Sequence, residues 1–277
     1  MAHPKNAMEI FQLLDKSNCQ QCGEKTCLAF AGAVYRAVKK LSECPKLPGD
    51  ILNRYDEDTA STTSLEDNRE EYLDELKQKV SRLDFQEAAN RTGGHFADDK
   101  LTLKILGKDF TIDKNGALSA DIHINPWVAG PFLNYVLNTN GAPATGKWLS
   151  FRELTDGRER YPLFQKRCEQ AMKRVADAYT EFFDDIVHLF GGQKVAREFQ
   201  SDISVVLRPL PKVPVMICYW LPEEGIESTL NLFFDETANE NLDIGSLFSL
   251  GAGLTQMFEK LALRHGFRSV DNPSGLR

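Results

Sequence analysis

No apolar run in this sequence approaches the roughly 20 residues of a bilayer-spanning helix, so no membrane span is expected. The first residues, Met1-Ala-His-Pro-Lys5, lack the apolar core of a secretory signal, and a cytoplasmic protein is expected. Positive charge is also short: 33 Lys and Arg stand against 40 Asp and Glu, a formal charge of −7. A nucleic-acid-binding surface needs a basic patch that displaces counterions, so nucleic acid is not an expected partner. Cysteine is scarce beyond Pro45, where only Cys168 and Cys218 remain, too few to ligate a second cluster. A hydrophobic content of 42% with 26% charged residues is that of an ordinary globular protein, and 277 residues suffice for one full domain and a small one.

What the chain does have is concentrated near its start. Four of its six cysteines, Cys19, Cys22, Cys27 and Cys44, stand in the order Cys-x2-Cys-x4-Cys-x16-Cys. Thiolate sulfur is the ligand that iron–sulfur clusters require, and four thiolates complete one cluster. Cys19 and Cys22 can turn toward one centre from a single tight loop, and Gly23 follows where the backbone must bend. Thr26-Cys27 then opens an apolar pattern, Leu28, Ala31, Val34, Tyr35 and Val38, with the spacing of one helix face. A thiolate at that helix start is stabilised by the positive end of the helix dipole. Cys44-Pro45 returns the fourth sulfur, and cysteine followed by proline also closes the bacterial ferredoxin run.

Other uses of cysteine fit less well. A structural zinc site usually comes as two Cys-x2–4-Cys knuckles, whereas Cys27 and Cys44 each stand alone. Disulfide frameworks belong to short secreted chains. A plant-type [2Fe–2S] centre has the order Cys-x4-Cys-x2-Cys, the reverse of the order here. The spacing therefore favours one [4Fe–4S] cluster, with zinc as the alternative.

The string Asn18-Cys-x-x-Cys-Gly-x-x-Thr-Cys27-Leu-Ala-Phe-Ala31, closed by Cys44-Pro45, resembles the four-cysteine domain that begins the large subunit of the corrinoid iron–sulfur protein. It is similar also to that of the B subunit of the Rnf electron-transport complex. The resemblance covers the first fifth of the chain. It implies that Cys19, Cys22, Cys27 and Cys44 hold a low-potential [4Fe–4S] cluster. The chain as a whole resembles a family from anaerobic bacteria and archaea in which this domain precedes a C-terminal domain of unknown function. Trp148-Leu-Ser-Phe-Arg152-Glu-Leu154 and Met257-Phe-Glu-Lys260 look like that family's motifs, and no role is carried over with them.

Three segments are expected: a four-cysteine domain over residues 1–49, a linker and connecting helix over 50–90, and an α+β domain over 91–277. Ala7, Ile10, Phe11 and Leu14 form a short amphipathic helix before the first cysteine. Asp50 to Thr63 is polar and reads as a linker, and Leu65 to Phe85 reads as an amphipathic helix. Leu101, Leu103 and Ile105, then Phe110 and Ile112, alternate as in a hairpin, and a third strand over Leu118–Ile124 completes a meander. Pro131 to Leu137 reads as helix. Pro162 to Phe190 reads as the longest helix, ended by Gly191-Gly192. Strands are expected over Ile203–Arg208, Val213–Tyr219 and Thr229–Phe234, then a final helix over Ile244–His265. Strands and helices do not alternate, which predicts an α+β class with a small helical iron–sulfur domain and a largely antiparallel sheet packed by helices.

Outside the four cysteines the signals are weak. Gly141-Ala-Pro-Ala-Thr-Gly146-Lys147-Trp148 nearly fits a phosphate-binding loop, but Trp148 has no hydroxyl for magnesium and the preceding segment is helical. Trp148 is expected to pack with Phe151 over the core. Asp121 and His123 fall on one face of a presumptive strand, where a pair of that kind binds a metal or moves a proton; a satisfied polar face is the blander account. The same segment resembles the Asp-x-His-x-x-Gly motif of some corrinoid-binding proteins, with Pro126 where glycine belongs. His188 and His265 have no partner at metal spacing, and His3 and His95 fall in segments expected to be mobile. Cys168 and Cys218 read as buried small hydrophobes. Arg152, Glu153, Asp156 and Arg158 form a charged loop, either lining an anion pocket or making ordinary salt bridges.

The function expected is one-electron transfer at low potential to a redox partner protein. The resemblance implies a setting in corrinoid-dependent one-carbon metabolism, with a corrinoid as a second cofactor. The alternatives are a redox enzyme with its active site in the C-terminal domain, and a cluster-based redox sensor. An exposed cluster edge favours transfer and a buried one sensing.

Overall fold

The computed structural model describes residues 7–35, 39–48, 51, 65–179 and 181–265. The chain divides into two compact units, Met1–Tyr72 and Leu73–Arg277. Apart from Ile51, the linker expected from Asp50 to Thr63 lies outside the described residues, as do His3 and Val38.

In the first unit, helix α1 (Ala7–Leu13) packs on helix α2 (Cys27–Tyr35), and a 3-10 turn spans Leu41–Glu43. Ile10, Leu14, Phe30, Ala31, Val34, Leu41 and Leu47 form a small core with Cys27 and Cys44. The buried face of α2 is only partly the expected one: Ala31 and Val34 are buried as expected, but Phe30 joins them, whereas Leu28 is 49% and Tyr35 50% exposed. The sequence Cys-Leu-Ala-Phe-Ala-Gly-Ala-Val-Tyr is apolar on every side, so periodicity cannot choose a face.

The second unit takes in the end of helix α3 (Leu65–Ser81), which buries Leu76 and Val80. This helix stops short of the expected Phe85. Asp84 instead caps a new helix, α4 (Phe85–Thr92), its carboxylate accepting from the N–H groups of Gln86 and Glu87, and Gly93 ends it in the left-handed region. Strands β1 (His95–Ala97), β2 (Lys100–Ile105), β3 (Lys108–Asp113) and β4 (Leu118–Ala120) then form an antiparallel sheet in chain order. His95 is thus a strand residue, not part of a mobile segment. Leu101, Leu103, Ile105, Phe110 and Ile112 all point to the core, as their alternation predicts. The third strand ends at Ala120, because Asn125 caps helix α5 (Pro126–Asn138) through Trp127 N–H, with Pro126 in the first turn.

Strand β5 (Trp148–Ser150) leads to helix α6 (Gly157–Phe164), a π-turn (Gln165–Glu169), helix α7 (Gln170–Ala178) and helix α8 (Phe182–Phe190). The single helix expected over Pro162–Phe190 is therefore interrupted at Tyr179, whose backbone is extended (φ −120, ψ 97). The Tyr179 hydroxyl bonds to Asp185 and to Nδ1 of His265, contacts an unbroken helix would not give it. Apolar spacing runs across the break because the helices on either side of it bury residues in one core.

Strands β6 (Gln193–Lys194), β7 (Ile203–Leu210), β8 (Val213–Trp220) and β9 (Thr229–Asp235) complete a second antiparallel sheet in the order β5-β9-β8-β7-β6. After a short helix, α9 (Ala238–Asn241), the last described helix is α10 (Ile244–Arg264). One sheet face, with Val205, Leu207, Val215, Ile217, Leu232 and Phe234, joins the main core that also takes in α10. Val206, Met216, Cys218 and Phe233 cluster separately, with Trp148 and Trp220 against them. Trp148 and Phe151 are thus in different clusters, contrary to expectation; Phe151 stacks on Phe164 at 4.0 Å in the main core. The α+β class with antiparallel sheets is as expected.

The loop that nearly fits a phosphate-binding motif is committed elsewhere. The Asp235 carboxylate is fully buried and accepts from Thr145 N–H (3.0 Å), Gly146 N–H (2.7 Å), Thr237 N–H (3.1 Å) and the Thr237 hydroxyl (2.8 Å). Two amides that a phosphate would need are spent on this carboxylate, and a strand follows the loop where a phosphate loop needs a helix. Burial pushes the Asp235 carboxyl up, but Thr237, Gly146 and Thr145 together hold it below its ordinary value. Asp235→Ala is expected to destabilise the second unit by about 2–4 kcal/mol in urea denaturation, because buried donors lose their acceptor. The carboxylate's contribution is complete above the unfolded aspartate pKa of about 4 and is lost as pH falls through the lower folded value. Asp235→Asn should therefore flatten the acid limb of the stability profile.

Candidate iron–sulfur site

Cys19 and Cys22 sit in the loop between α1 and α2, Cys27 is the first residue of α2, and Cys44 follows the 3-10 turn. Helix α2 starts there because Thr26 accepts the Ala29 N–H (3.0 Å) as its cap. The Cys27 N–H, left without a helical partner, donates to the Asn18 side chain at 2.8 Å, and the Asn18 N–H in turn donates to the Cys27 sulfur at 3.3 Å. Asn18 thus ties the Cys19 loop to the helix start and places a donor on one sulfur. Gly23 turns the loop in the left-handed region at φ 79, where a side chain would be strained.

Two lysines fasten the stretch that carries Cys44 to the cysteine loop. Lys39 donates to the Cys22 carbonyl and lies 3.9 Å from Glu24. Lys46, two residues after Cys44, donates to Ser17 Oγ (3.1 Å) and pairs with Asp15 (3.4 Å). Lys39, Lys46 and Asp15 escaped the sequence reading, since single charged residues beside cysteines look like any surface residue, and Asn18 entered it only as the first residue of the cysteine motif.

All six cysteines are free thiols. Cys27 and Cys44 are buried, and Cys19 and Cys22 are half-buried. Gln21 N–H, the largest influence on Cys19, lowers its thiol pKa, with help from Ser17 and Lys46. Burial pushes Cys44 up, and the nearby Cys22, Asp15 and Cys19 charges add to that rise. Cys22 and Cys19 therefore each lie within electrostatic reach of Cys44, while Cys22 packs against the core that contains Cys27 and Cys44. Among the described residues, no three His, Cys, Asp or Glu side chains form a group tight enough to hold a single metal ion. Soft thiolates, N–H donors aimed at sulfur and a partly open loop fit the needs of an iron–sulfur cluster.

Of the other candidates, His123 lines an apolar groove of the second unit and the rest make local contacts. Asp121 and His123 lie beyond the end of β4, outside any strand, and Asp121 accepts from Asp109 N–H. Glu153 folds back on the N–H and hydroxyl of Ser150, and Arg152 lies over the Tyr161 ring. Cys168 and Cys218 are fully buried, and burial pushes the Cys168 thiol to about 12 and Cys218 upward.

A four-cysteine unit followed by a larger α+β unit defines an iron–sulfur protein with an appended domain. The family described as Domain of unknown function (DUF3786) matches residues 84–257, more than half of the chain, and the chain belongs to this family. The family described as Putative Fe-S cluster matches residues 14–46, spanning all four cysteines. The chain is also similar to the acetyl-CoA decarbonylase/synthase complex subunit gamma of Methanopyrus kandleri, at 40% identity over 52 residues, which are 19% of this chain and 11% of that protein. The subunit gamma of Methanothermobacter thermautotrophicus is 43% identical over 44 residues, 16% of this chain and 10% of that protein. The chain thus spans about a tenth of the length of the curated relatives it matches. No solved structure matches the chain.

The thiols should differ in reactivity when the protein is stripped of metal under reducing conditions. Iodoacetamide followed by mass spectrometry is expected to label Cys19 first and Cys44 more slowly. Cys168 and Cys218 should react only after denaturation, because burial and a raised pKa both suppress the thiolate.

Proposed function

We propose that Cys19, Cys22, Cys27 and Cys44 ligate one [4Fe–4S] cluster and that the protein passes single electrons at low potential to a partner protein. The observation that carries this reading is the unequal burial of the four thiols: two are buried, and two lie half-exposed on one loop. A partner can approach the exposed side, and this arrangement favours transfer over sensing. When bound, the cluster supplies reversible uptake of one electron.

The chain's own residues tune that exchange. The N–H groups of Asn18 and Gln21 donate to the Cys27 and Cys19 sulfurs, and such bonds help set a cluster's potential. Lys39 and Lys46 add positive charge beside the loop, with Glu24 and Asp15 balancing it. In the domain arrangement we propose, residues 1–49 carry the cluster and residues 91–277 form the larger domain. The likeness to the gamma subunits, named as parts of a complex, supports a protein partner. Together with the resemblance to corrinoid iron–sulfur proteins, it supports corrinoid-linked one-carbon metabolism as the setting, with the corrinoid as second cofactor on this chain or on its partner.

The test is a spectroelectrochemical titration of protein isolated without oxygen. A one-electron bleaching near or below about −400 mV, absent from Cys22→Ala, is expected. A two-electron wave, or no optical change across that range, would rule out the proposed transfer role.

A further inference from the structure

The second unit contains a groove of about 540 Å³ that no part of the iron–sulfur reading uses. It opens where the β2–β3 turn, the start of α5, the ends of α8 and β7, and helix α10 meet. Its walls are apolar, with Leu106, Trp127, Phe190, Leu210, Leu254 and Met257 among them. That volume lies within the roughly 300–1,000 Å³ of small-molecule sites, which are mostly apolar with a few polar groups.

The charged groups of this groove are of one sign, beside the neutral amides of Asn125 and Gln256. Lys260 and Arg264 stand one turn apart on α10, on the stripe that also carries Met257 and Leu261, and His123 lies on another wall. No Asp or Glu is among the described residues that line it. Lys260 and Arg264 are exposed, and neither forms an ion pair among the described residues. Cations left unpaired beside an apolar cleft complement a ligand with an apolar body and an anionic head. The chain's own end is a poor occupant by charge, because residues 266–277 contain Arg268 and Arg277 against Asp271 alone.

We propose that this groove binds a small amphipathic anion, its apolar body against Trp127, Leu254 and Met257 and its carboxylate or phosphate head at Lys260 and Arg264. The site is independent of the cluster.

Displacement of anilinonaphthalene sulfonate from the full-length protein by decanoate, decyl phosphate and decanol tests it. Decanoate or decyl phosphate should displace the dye far better than decanol, and the stronger of the two identifies the head group. The double variant Lys260→Glu/Arg264→Glu, both at exposed positions, should weaken the acid by at least about fivefold and leave decanol unchanged. Met257→Trp, which fills the groove, should abolish displacement by all three while the circular dichroism spectrum stays that of the wild type. The proposal is overturned if decanol competes as well as the acids, or if charge reversal leaves the acid unaffected. It is equally overturned if the dye binds only once the chain is cut after His265, which would make the chain's own end the occupant, or if the full chain binds no displaceable dye.

Discussion

Two of the thiols in the first unit are also part of its core. Among the described residues the buried set is Ile10, Leu14, Phe30, Ala31, Val34, Leu41 and Leu47 with Cys27 and Cys44. A core of that size supplies only a small hydrophobic contribution, and such units lean on metal ligation for folding free energy. This constraint explains the auxiliary contacts. Asn18 pins the loop to the start of α2, Lys46 draws the Cys44 segment to Asp15 and Ser17, and Lys39 reaches the Cys22 carbonyl. Each shortens the distance the chain must search before its sulfurs can act together.

The second unit needs no such aid. Its strand β8 is buried along most of its length, with side chains on both faces of the sheet packed in apolar clusters. One of its buried polar groups is Asp235, whose carboxylate organises the Thr145–Gly146 turn and the start of the segment after β9. A glycine-bearing loop with a lysine looks like a ligand site in sequence, and here its amides serve an internal carboxylate. Only the tertiary neighbour across about ninety residues reveals this.

Much of the fold was legible from local pattern. Alternation marked Leu101 to Ile112 and helical spacing marked α10, because in each a single buried face sets the period. The three long strands, buried on both faces, were marked instead as apolar runs between proline- and glycine-bearing turns. Cys168, on a helix stripe, and Cys218, in an apolar run, were recognisable as core residues. The failures have specific causes. Helices α6, α7 and α8 share one buried side, so spacing could not show the break at Tyr179, which depends on Asp185 and His265. The caps Asp84 and Asn125 were present as helix-start signals and were passed over, which ran α3 on to Phe85, left α4 unread and extended a strand to Ile124. For Trp148, the sheet face is decided by register, which single residues do not disclose. In the candidate site the cysteine spacing was the legible part, while the fastening role of Lys39 and Lys46 requires the folded loop.

The proposed electron transfer requires that these four sulfurs hold a single cluster of four irons. Iron, acid-labile sulfide and zinc should be determined on protein isolated without oxygen from its native host. About four irons and four sulfides per chain, with zinc near zero, is the predicted result. Stoichiometric zinc without sulfide would contradict it, and the first unit would then be a structural metal knot rather than an electron carrier.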